Sequence, residues 1–415
     1  MTDCYQKKEC RLCESTQLET VVRLTATPPG NHFVAKSGLG SPQTCYPLGL
    51  NFCHECYHVQ LSHVVDPKIL YQKNYSYVSA ISPIFVEHLG NHAAQVVKKY
   101  GLSSSSLVID IGSNDGTNLR GFQKWGCRVL GIDPATEIVA LANQGGIETL
   151  CEFFNFETSK KYREKYGLAR VITSHNACAH IDDLKSVVEG VRHWLAEDGI
   201  FIMEVGYLLD VYQNIWFDTI YHEHLDYHSV APLVQFFKKL QMEVINVERV
   251  NSQGGSIRLT VQKQGGPHRG NSSVQALVQL EEDKGLNRAE TFKTFGARIN
   301  AAKDSLKNIL WELKQAGKSI AGYGAPTKAT TLMTHFGLDG KVIDFIVEDN
   351  KLKQGMFTPL HHIPVLSPEA ILEKKPDYLL LLAWNFAESL IAKCAQYKSA
   401  GGRFIVPLPH ARMVE

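Results

Sequence analysis

The chain has 415 residues, and its 43 Lys and Arg against 42 Asp and Glu leave a formal net charge of +1. This balance argues against the basic surface by which proteins bind nucleic acid or anionic membranes. No apolar run reaches the roughly 20 residues of a membrane-spanning helix. With 44% hydrophobic and 20% charged residues, the chain is an ordinary globular protein of two or three domains. Its first residues lack the apolar core of a signal peptide, so we expect a cytoplasmic protein, and we expect a monomer.

Six of the ten cysteines lie in the first 56 residues. Two Cys-x-x-Cys pairs among them, Cys10/Cys13 and Cys53/Cys56, can each place two thiolates on one metal ion. Four thiolates close a tetrahedral Zn²⁺ site of the structural kind. The sequence therefore predicts a structural zinc site in an N-terminal domain of residues 1–75, too poor in apolar residues to fold on its core alone.

Two alternatives to this zinc site stay open. The pairs are either two unrelated turns with reduced thiols, or one of them exchanges a ligand with a nearby side chain of Cys4, Cys45, His32, His54 or His58. The other four cysteines are scattered singly, and we expect them to be small buried apolar residues: Cys127, Cys151, Cys178 and Cys394.

Short β-rich runs alternate with amphipathic stretches from residue 107 onwards. This alternation predicts an α/β domain with a mostly parallel, doubly wound sheet, which we assign to residues 76–265. An antiparallel pair of strands around Gly254-Gly255 closes it. The predicted strands are 107–112, 128–133, 147–154, 170–176, 199–206, 242–250 and 256–263.

An Asp-x-Gly-x-Asn-Asp-Gly loop follows the first strand of this sheet. It lacks the third glycine of the dinucleotide fingerprint, and its carboxylates suit a cationic ligand such as a sulfonium. Asp133 ends the second strand, 23 residues after Asp110, where it can bind both hydroxyls of a ribose. The arrangement resembles motifs I and II of class I methyltransferases and favours S-adenosylmethionine (SAM) over NAD. The predicted cofactor contacts are Asp110, Gly112, Asn114, Asp115 and Asp133, with Phe153 either flanking the adenine or belonging to the core.

A second α/β unit follows a long amphipathic stretch at residues 284–315. Residues 319–326 indicate a strand and a tight glycine turn, and Lys328 lies at the start of the next helix. Backbone amides at a helix start together with a lysine suit a phosphate. We assign residues 266–415 to the linker and this domain, which is either a nucleotide or pyrophosphate binder or a scaffold. Its further strands are predicted at 342–350 and 378–385.

Four protic side chains are adjacent at Tyr221-His222-Glu223-His224, in a loop-like stretch. Such a cluster holds a metal, moves protons or forms a polar surface loop. A zinc protease helix needs His-Glu-x-x-His, and position 226 is aspartate, so the spacing argues against a metal site. Proton transfer is favoured for His224, whereas a surface loop is favoured for His222.

Together these features resemble the nucleotide-sugar C-methyltransferases that carry an N-terminal zinc-binding domain. The resemblance spans nearly the whole chain and rests on the paired Cys-x-x-Cys, the Asp-x-Gly-x-Asn-Asp-Gly loop, Tyr-His-Glu-His and Gly-Tyr-Gly-Ala-x-x-Lys. It implies a class I methyltransferase Rossmann-like sheet between a small zinc-binding domain and a C-terminal second Rossmann-like α/β domain. It also implies methyl transfer from SAM to C-3 of a dTDP- or GDP-linked 4-keto-6-deoxy sugar, in branched deoxysugar biosynthesis.

The resemblance also assigns roles to residues. His224 matches the base that removes the C-3 proton, and Tyr221 and Glu223 line the sugar. His180 is then the ketone polariser or an auxiliary acid, and Asn176 lies close to both SAM and sugar. The remaining substrate contacts it implies are Tyr75, Tyr77, Ser79, Tyr323, Lys328, Asn350 and Lys353.

Two other classes of function stay open from the sequence. One is an NAD-linked nucleotide-sugar oxidoreductase, which would bind NADH rather than SAM. The other is a catalytically silent, zinc-dependent binding protein.

Overall fold

A computed structural model describes residues 3–71 and 78–414, apart from the side chain of residue 71. The predicted substrate contacts Tyr75 and Tyr77 lie outside the described residues. The N-terminal elements are β1 (Cys4–Gln6), β2 (Leu18–Thr27), β3 (Tyr46–Cys53), β4 (Val59–Leu61), β5 (His63–Val65) and α1 (Pro67–Tyr71).

The central elements alternate between helix and strand before two final strands. They are α2 (Pro83–Tyr100), β6 (Leu107–Ile111), α3 (Thr117–Gln123), β7 (Arg128–Asp133), α4 (Thr136–Gln144), β8 (Thr149–Cys151), α5 (Phe156–Tyr166), β9 (Ala169–His175), α6 (Leu184–Trp194), β10 (Leu195–Gly206), α7 (Leu208–Gln213), β11 (Asp226–Tyr227), α8 (Val230–Lys239), β12 (Met242–Val250) and β13 (Ser256–Lys263).

The C-terminal elements begin with two helices. They are α9 (Ser273–Asp283), α10 (Ala289–Gln315), β14 (Ile320–Tyr323), α11 (Thr327–Phe336), β15 (Ile346–Val347), β16 (Val365–Leu366), α12 (Ala370–Lys374), β17 (Tyr378–Leu381), α13 (Ala387–Lys393), α14 (Ala395–Ser399), β18 (Arg403–Val406) and β19 (Arg412–Val414).

The central sheet has the strand order β12-β13-β10-β9-β6-β7-β8. Its strands are parallel except β13, which runs antiparallel to both β10 and β12. Every residue of β6 is buried, as expected for a parallel strand covered on both faces. The predicted doubly wound sheet with its closing antiparallel pair is confirmed, and the carboxyl ends of β6, β7 and β9 meet at one edge.

The C-terminal sheet has the order β16-β15-β14-β17-β18-β19, parallel except for β19. The order reverses between β14 and β17, which creates the kind of crevice in which open α/β sheets bind ligands. The predicted strand at 342–350 is shorter than expected, because Val342 and Ile343 belong to a turn on Asp339. The amphipathic stretch predicted at 284–315 begins with a turn, in which Gly285 has φ +72°, and continues as α10 from Ala289.

The N-terminal sheet has the order β11-β4-β3-β2, so its fourth strand comes from the central part of the chain. Val22, Leu50 and Phe52 are buried in it and belong to one continuous core with the other two regions. Helices α10 and α11 both pack on β2. The region thus depends on a core that it shares with helices from the opposite end of the chain, in agreement with the expectation that it cannot fold on its own core alone.

The single cysteines divide in a way that the sequence did not predict. Cys127, Cys178 and Cys394 are buried as expected, but Cys151 is exposed. Cys151 is the last residue of β8, which is the edge strand of the central sheet, so one side of it has no neighbouring strand.

None of the helices within residues 3–71 and 78–414 combines the length and apolarity needed to cross a bilayer.

Candidate active site

The four cysteines predicted as metal ligands converge. Their sulfur atoms all lie within 4.8 Å of one another, with Cys10 Sγ 3.5 Å from Cys56 Sγ and Cys13 Sγ 3.5 Å from Cys53 Sγ. Zn–S bonds of about 2.3 Å in a tetrahedron place the sulfurs about 3.8 Å apart, so the cluster fits a closed structural Zn²⁺ site.

Two of the competing ligands considered from the sequence are engaged elsewhere. His54 pairs with Glu19 at 2.9 Å. The ring of His58 lies 2.7 Å from the carboxylate of Asp226, and both side chains are fully buried. Within residues 3–71 and 78–414, the group of side chains that could hold a metal ion consists of these four cysteines, without Cys4, Cys45 or His32.

The Asp-x-Gly loop after β6 is shaped by residues with left-handed backbones. Gly112 has φ +69°, and a Cβ at this position would lie 2.5 Å from the Cβ of Ala177. Asn114 has φ +50°, and its side-chain oxygen accepts the backbone N–H of Ser79 at 2.9 Å. The loop can thus pass close to a ligand, and Ser79 is anchored to it.

Asp133 lies at the end of β7 with both carboxylate oxygens on backbone amides. One accepts from Asn114 and the other from Ala135, each at 2.9 Å. Burial raises the pKa of this carboxyl. Because each carboxylate oxygen has a second lone pair, Asp133 keeps the capacity to accept two ribose hydroxyls.

The other two predicted acids support the loop itself. Asp110 is buried and accepts the hydroxyl of Thr173 at 2.7 Å, while burial raises its pKa. Asp115 accepts the hydroxyl of Thr117 at 2.7 Å, at the start of α3. Both carboxylates, which the sequence suggested would attract a sulfonium, therefore also stabilise the loop through hydrogen bonds within the protein.

Asn176 follows β9 and Phe153 follows β8, at the same edge of the central sheet but with β6 and β7 between the two strands. Asn176 has φ +59°, and its Nδ2 is buried without a hydrogen-bond partner among the described residues, which fits a donor aimed at a ligand. Phe153 is 60% exposed, whereas Phe154 is buried and stacks on Trp194. Phe154 is therefore the core residue of the pair, and Phe153 is available to a ligand.

His224 is held in one tautomer by its hydrogen bonds. Its Nδ1 lies 2.9 Å from the carbonyl of Thr219, and its Nε2 lies 2.7 Å from the hydroxyl of Tyr221. A carbonyl only accepts, so Nδ1 carries the proton and the Nε2 lone pair accepts from Tyr221. Burial lowers the pKa of His224 to about 4, which leaves the ring neutral at pH 7.

His180 lies in the loop after β9, next to His224. Its ring centroid is 4.9 Å from that of His224, edge to face. Burial, with His224 as neighbour, lowers the pKa of His180 to about 3. The backbone N–H of Leu225 donates to the carbonyl of Ala179 at 2.7 Å and joins the two loops. The structure thus brings the two predicted histidines together.

Glu223 lies where the N-terminal, central and C-terminal regions meet. Burial raises its pKa to about 7, although Lys353 and Asn31 favour the ionised form. The ammonium of Lys353 donates to the carbonyl of Ala325 at 2.8 Å and lies 4.7 Å from the centre of the Phe33 ring. Glu223 and Lys353, predicted separately from the sequence, therefore belong to one site.

His222 is not part of a surface loop. Its side chain is 1% exposed, with Nε2 3.3 Å from the carbonyl of Tyr46. The surface-loop expectation for this residue is wrong, because the N-terminal sheet covers the loop.

Lys328 lies at the junction of the central and C-terminal regions. Its ammonium is 3.7 Å from the carboxylate of Asp218 and 4.4 Å from the centre of a Trp384 ring. The Trp384 indole N–H donates to Asp218 at 2.6 Å. Sequence reasoning missed Asp218 and Trp384; only the position of the aspartate, three residues before Tyr221, pointed to it.

The remaining predicted nucleotide contacts line the carboxyl ends of β14 and β15. Tyr323 is buried, which raises its pKa to about 12. The backbone N–H of Asn350 donates to Glu348 at 2.9 Å, and the other oxygen of Glu348 accepts the N–H of Ala325 at 2.6 Å. Glu348, which the sequence did not single out, therefore ties both strand ends together.

Sequence reasoning also missed a buried ionic cluster in the central sheet, next to the carboxyl end of β9. Glu204 accepts from Arg258 at 2.7 Å and lies 2.9 Å from the His88 ring. Its backbone carbonyl accepts the N–H of Asn176 at 2.7 Å. An acid in the middle of an apolar run was the available signal.

Comparison with protein families gives three matches along the chain. Residues 10–71 match a zinc binding domain, residues 85–247 a methyltransferase domain, and residues 251–409 a C-methyltransferase C-terminal domain.

Comparison with known proteins gives a similarity that spans the whole chain. The chain is 34% identical over 406 residues to the C-methyltransferase NovU of Streptomyces niveus, across 98% of this chain and 96% of NovU.

Solved structures are similar over less than half of the chain. A SAM-dependent methyltransferase from Clostridium acetobutylicum is 14% identical, with 43% of this chain and 92% of that chain covered and a TM-score of 0.35. YcgJ of Bacillus subtilis is 16% identical, with 42% and 100% covered and a TM-score of 0.34. The whole-length similarity to NovU, with the SAM-type loop, the four-cysteine cluster and the paired histidines, shows that the chain belongs to the SAM-dependent C-methyltransferases.

Proposed function

We propose that the protein methylates C-3 of a 4-keto-6-deoxy sugar linked to dTDP or GDP, in the cytoplasm and as a monomer, for branched deoxysugar biosynthesis. The observation that carries this proposal is the neutral His224, whose unprotonated Nε2 meets the Tyr221 hydroxyl beside His180. A neutral base at the edge of a SAM-type sheet suits a substrate carbon that must lose a proton before it can be methylated.

The ketone at C-4 explains the need for these residues. It makes the C-3 proton acidic. The Tyr221 hydroxyl, which donates to His224 Nε2 without substrate, turns to the sugar, so that the Nε2 lone pair accepts this proton while Nδ1–H stays on the Thr219 carbonyl. The electron pair of the broken C–H bond moves into an enolate. Its oxygen accepts the N–H of the neutral His180 ring, in place of the backbone acceptors of Asn176 and Glu223 that the ring faces without substrate. When bound, SAM supplies the methyl group for the new bond at C-3. The loop of His224 thus supplies the base, and the loop of His180 stabilises the charge of the enolate.

Other residues hold the two ends of the substrate. Tyr221 and Glu223 line the sugar, and the buried Nδ2 of Asn176 donates to SAM or sugar. The nucleotide lies at the carboxyl ends of β14 and β15, supported by Tyr323, Lys328, Asn350 and Lys353. Ser79 and the residues Tyr75 and Tyr77 complete the sugar site in this proposal.

Methyl transfer is tested directly with isotope-labelled SAM and a panel of dTDP- and GDP-linked 4-keto-6-deoxy sugars. The expected product carries a new methyl group at C-3, located by NMR. An oxidoreductase would instead consume NADH, and a silent binding protein would bind ligand without turnover. Absence of transfer to every sugar, together with absence of SAM binding, would refute the proposal.

The base is tested apart from methyl transfer by solvent exchange. In D₂O with S-adenosylhomocysteine in place of SAM, the wild-type protein should exchange the C-3 proton of the sugar. His224→Ala should slow both exchange and turnover by about 10²–10⁴, the usual contribution of a positioned base. SAM affinity should stay unchanged. His222→Asn is the matched control, since His222 contacts Tyr46 rather than the reacting groups. Undiminished exchange in His224→Ala would assign the base to another group.

A further inference from the structure

Arg11 lies inside the metal-binding turn, between Cys10 and Cys13, yet its side chain has no exposed surface. Removing a guanidinium from water is costly unless its N–H groups find charged or polar partners. The partners of this arginine are distant in sequence, and they lie next to both proposed catalytic histidines.

The guanidinium contacts two loops at once. Its Nε donates to the carboxylate of Asp182 at 2.8 Å, two residues after His180. One terminal nitrogen lies 3.3 Å from the carbonyl of Leu225, the residue after His224. The same nitrogen is 3.2 Å from the carbonyl of Leu61, on β4.

The Leu225 peptide is the point at which these elements join. Its N–H donates to Ala179 at 2.7 Å, and its carbonyl also accepts the N–H of Leu61 at 2.8 Å. The rigid, planar fork of arginine can serve the carboxylate and the carbonyls together, whereas the single ammonium of lysine cannot.

We propose that Arg11 is a positioning residue for His180 and His224. It fixes the His180 loop through Asp182 and the His224 loop through the Leu225 carbonyl. The cysteine cluster holds the turn that carries Arg11 rigid. This inference rests on the proposed function in that the two histidines are the reacting groups. A misplacement of about 1 Å is enough to reduce a rate by about 10².

The test compares Arg11→Lys with Lys7→Met. Lys7 binds the same carboxylate, 3.0 Å from Asp182, but from a partly exposed position. Arg11→Lys should lower kcat and the C-3 exchange rate by about 10²-fold, with KM, SAM affinity and zinc content each within about twofold of wild type. Lys7→Met should leave kcat within about twofold of wild type, since it changes one partner of Asp182 and leaves Arg11 in place.

Hydrogen–deuterium exchange of the backbone gives a readout that needs no substrate. In Arg11→Lys, peptides covering 177–183 and 219–228 should both exchange faster than in wild type, while a peptide covering 199–206 in β10 should not change. In Lys7→Met the 219–228 peptide should stay protected. Because this readout is independent of turnover, failure of the wild-type protein to methylate any sugar would refute the proposed function and leave the role of Arg11 still measurable.

Unchanged kcat in Arg11→Lys, or equally increased exchange in all three peptides, would overturn the proposal, because the first denies positioning and the second indicates general loosening. Should Arg11→Lys fail to fold, Asp182→Asn carries the test. It keeps an acceptor for Arg11 while removing the charge, so faster exchange is expected at 177–183 with less change at 219–228. Equal exchange in both peptides of that variant would contradict the proposal.

Discussion

Burial determines the ionisation of Glu223 more strongly than its basic neighbour does. The carboxyl group lies near Lys353, which favours the ionised form, yet burial still raises its pKa to about 7. Near neutral pH the side chain is therefore divided between a form that donates a hydrogen bond and a form that only accepts. A group that hydrogen-bonds to Glu223 therefore meets a different partner at pH 6 and at pH 8.

The stability of the Glu223→Gln variant relative to wild type should increase as pH rises. The folded pKa lies above the unfolded value of 4.5, so the protonated form stabilises the fold at low pH, and that stabilisation is lost as pH rises through 7. The variant has no proton to lose. Its Tm relative to wild type should be higher at pH 8 than at pH 5, corresponding to at most about 3 kcal/mol. Thermal unfolding without substrate at both pH values checks this, and a difference independent of pH would contradict it.

The residue pattern predicted some of this site and could not predict the rest. Protic side chains at 221–224 favoured proton transfer at His224, and the family resemblance assigned the roles of His224 and His180. The burial of His222 was not predictable, because Tyr46, which contacts it, is 176 residues away. Arg11 carried no local signal either, since its partners lie in three other segments.

The short turn at 217–219, which precedes the loop of His224, is attached to the C-terminal region by the buried carboxylate of Asp218. Asp218 is fully buried and accepts from the Trp384 indole at 2.6 Å, with Lys328 at 3.7 Å. Thr331 on α11 adds a hydrogen bond to the carbonyl of Ile220 at 3.0 Å. A shift of α11 would therefore move the turn that supports the His224 ring.

Trp384→Phe should lower the free energy of unfolding by about 1–3 kcal/mol, because it removes a donor from a buried carboxylate and leaves that oxygen to Lys328 alone. Adding Asp218→Asn should recover part of this loss, since a neutral amide tolerates a missing donor better than a carboxylate. Urea unfolding of the two single variants and the double variant measures the coupling. Trp311→Phe is the control, as Trp311 is 65% exposed. Equal effects at the two tryptophans would refute the role assigned to Trp384.

Strands with long runs of apolar residues were predicted well, whereas short elements that depend on pairing or on a single turn residue were not. The buried parallel strands of the central sheet are continuous apolar runs, so β6, β7 and β9 were found close to their observed ends. β15 has two residues, and its extent depends on pairing with β14 rather than on its own side chains. The break between α9 and α10 depends on a left-handed Gly285, which the apolar periodicity did not show.

At the scale of the whole molecule, the fold keeps several histidines neutral. Burial lowers the pKa to about 4 for His222, His224, His228 and His335, and to about 3 for His180. In the unfolded chain each returns to its ordinary value of about 6.5. The unfolded state therefore binds more protons below that pH.

Stability should consequently fall as pH decreases from 7 to 5.5. The five folded pKa values lie below the unfolded value, so their stabilisation is present above about 6.5 and is lost below it, on the order of 5 kcal/mol over this interval. Urea unfolding at several pH values with excess zinc measures the slope. His335→Gln, away from the proposed base, should remove about 1 kcal/mol of the dependence. An identical slope in that variant would contradict the assignment.

The order of the three regions was predictable from cysteine spacing and strand–helix alternation, but their interpenetration was not. Boundaries near residues 75 and 265 describe the sequence pattern, whereas β11 belongs to the N-terminal sheet and α10 and α11 pack on β2. Such contacts join residues far apart in the chain, and no local pattern encodes them.

The pairing of β11 with β4 sets a condition on how the protein is made. Asp226 pairs with Gln60, so during synthesis β4 leaves the ribosome long before its partner strand exists. Until then, one edge of the first sheet is open to other nascent chains. Expressed alone, a fragment ending near residue 75 would keep that open edge permanently, and aggregation rather than a stable zinc-binding module is the expected result. The strand that closes the edge is the one that follows His224, so the assembly of the His224 loop and the protection of the first sheet are completed in the same event.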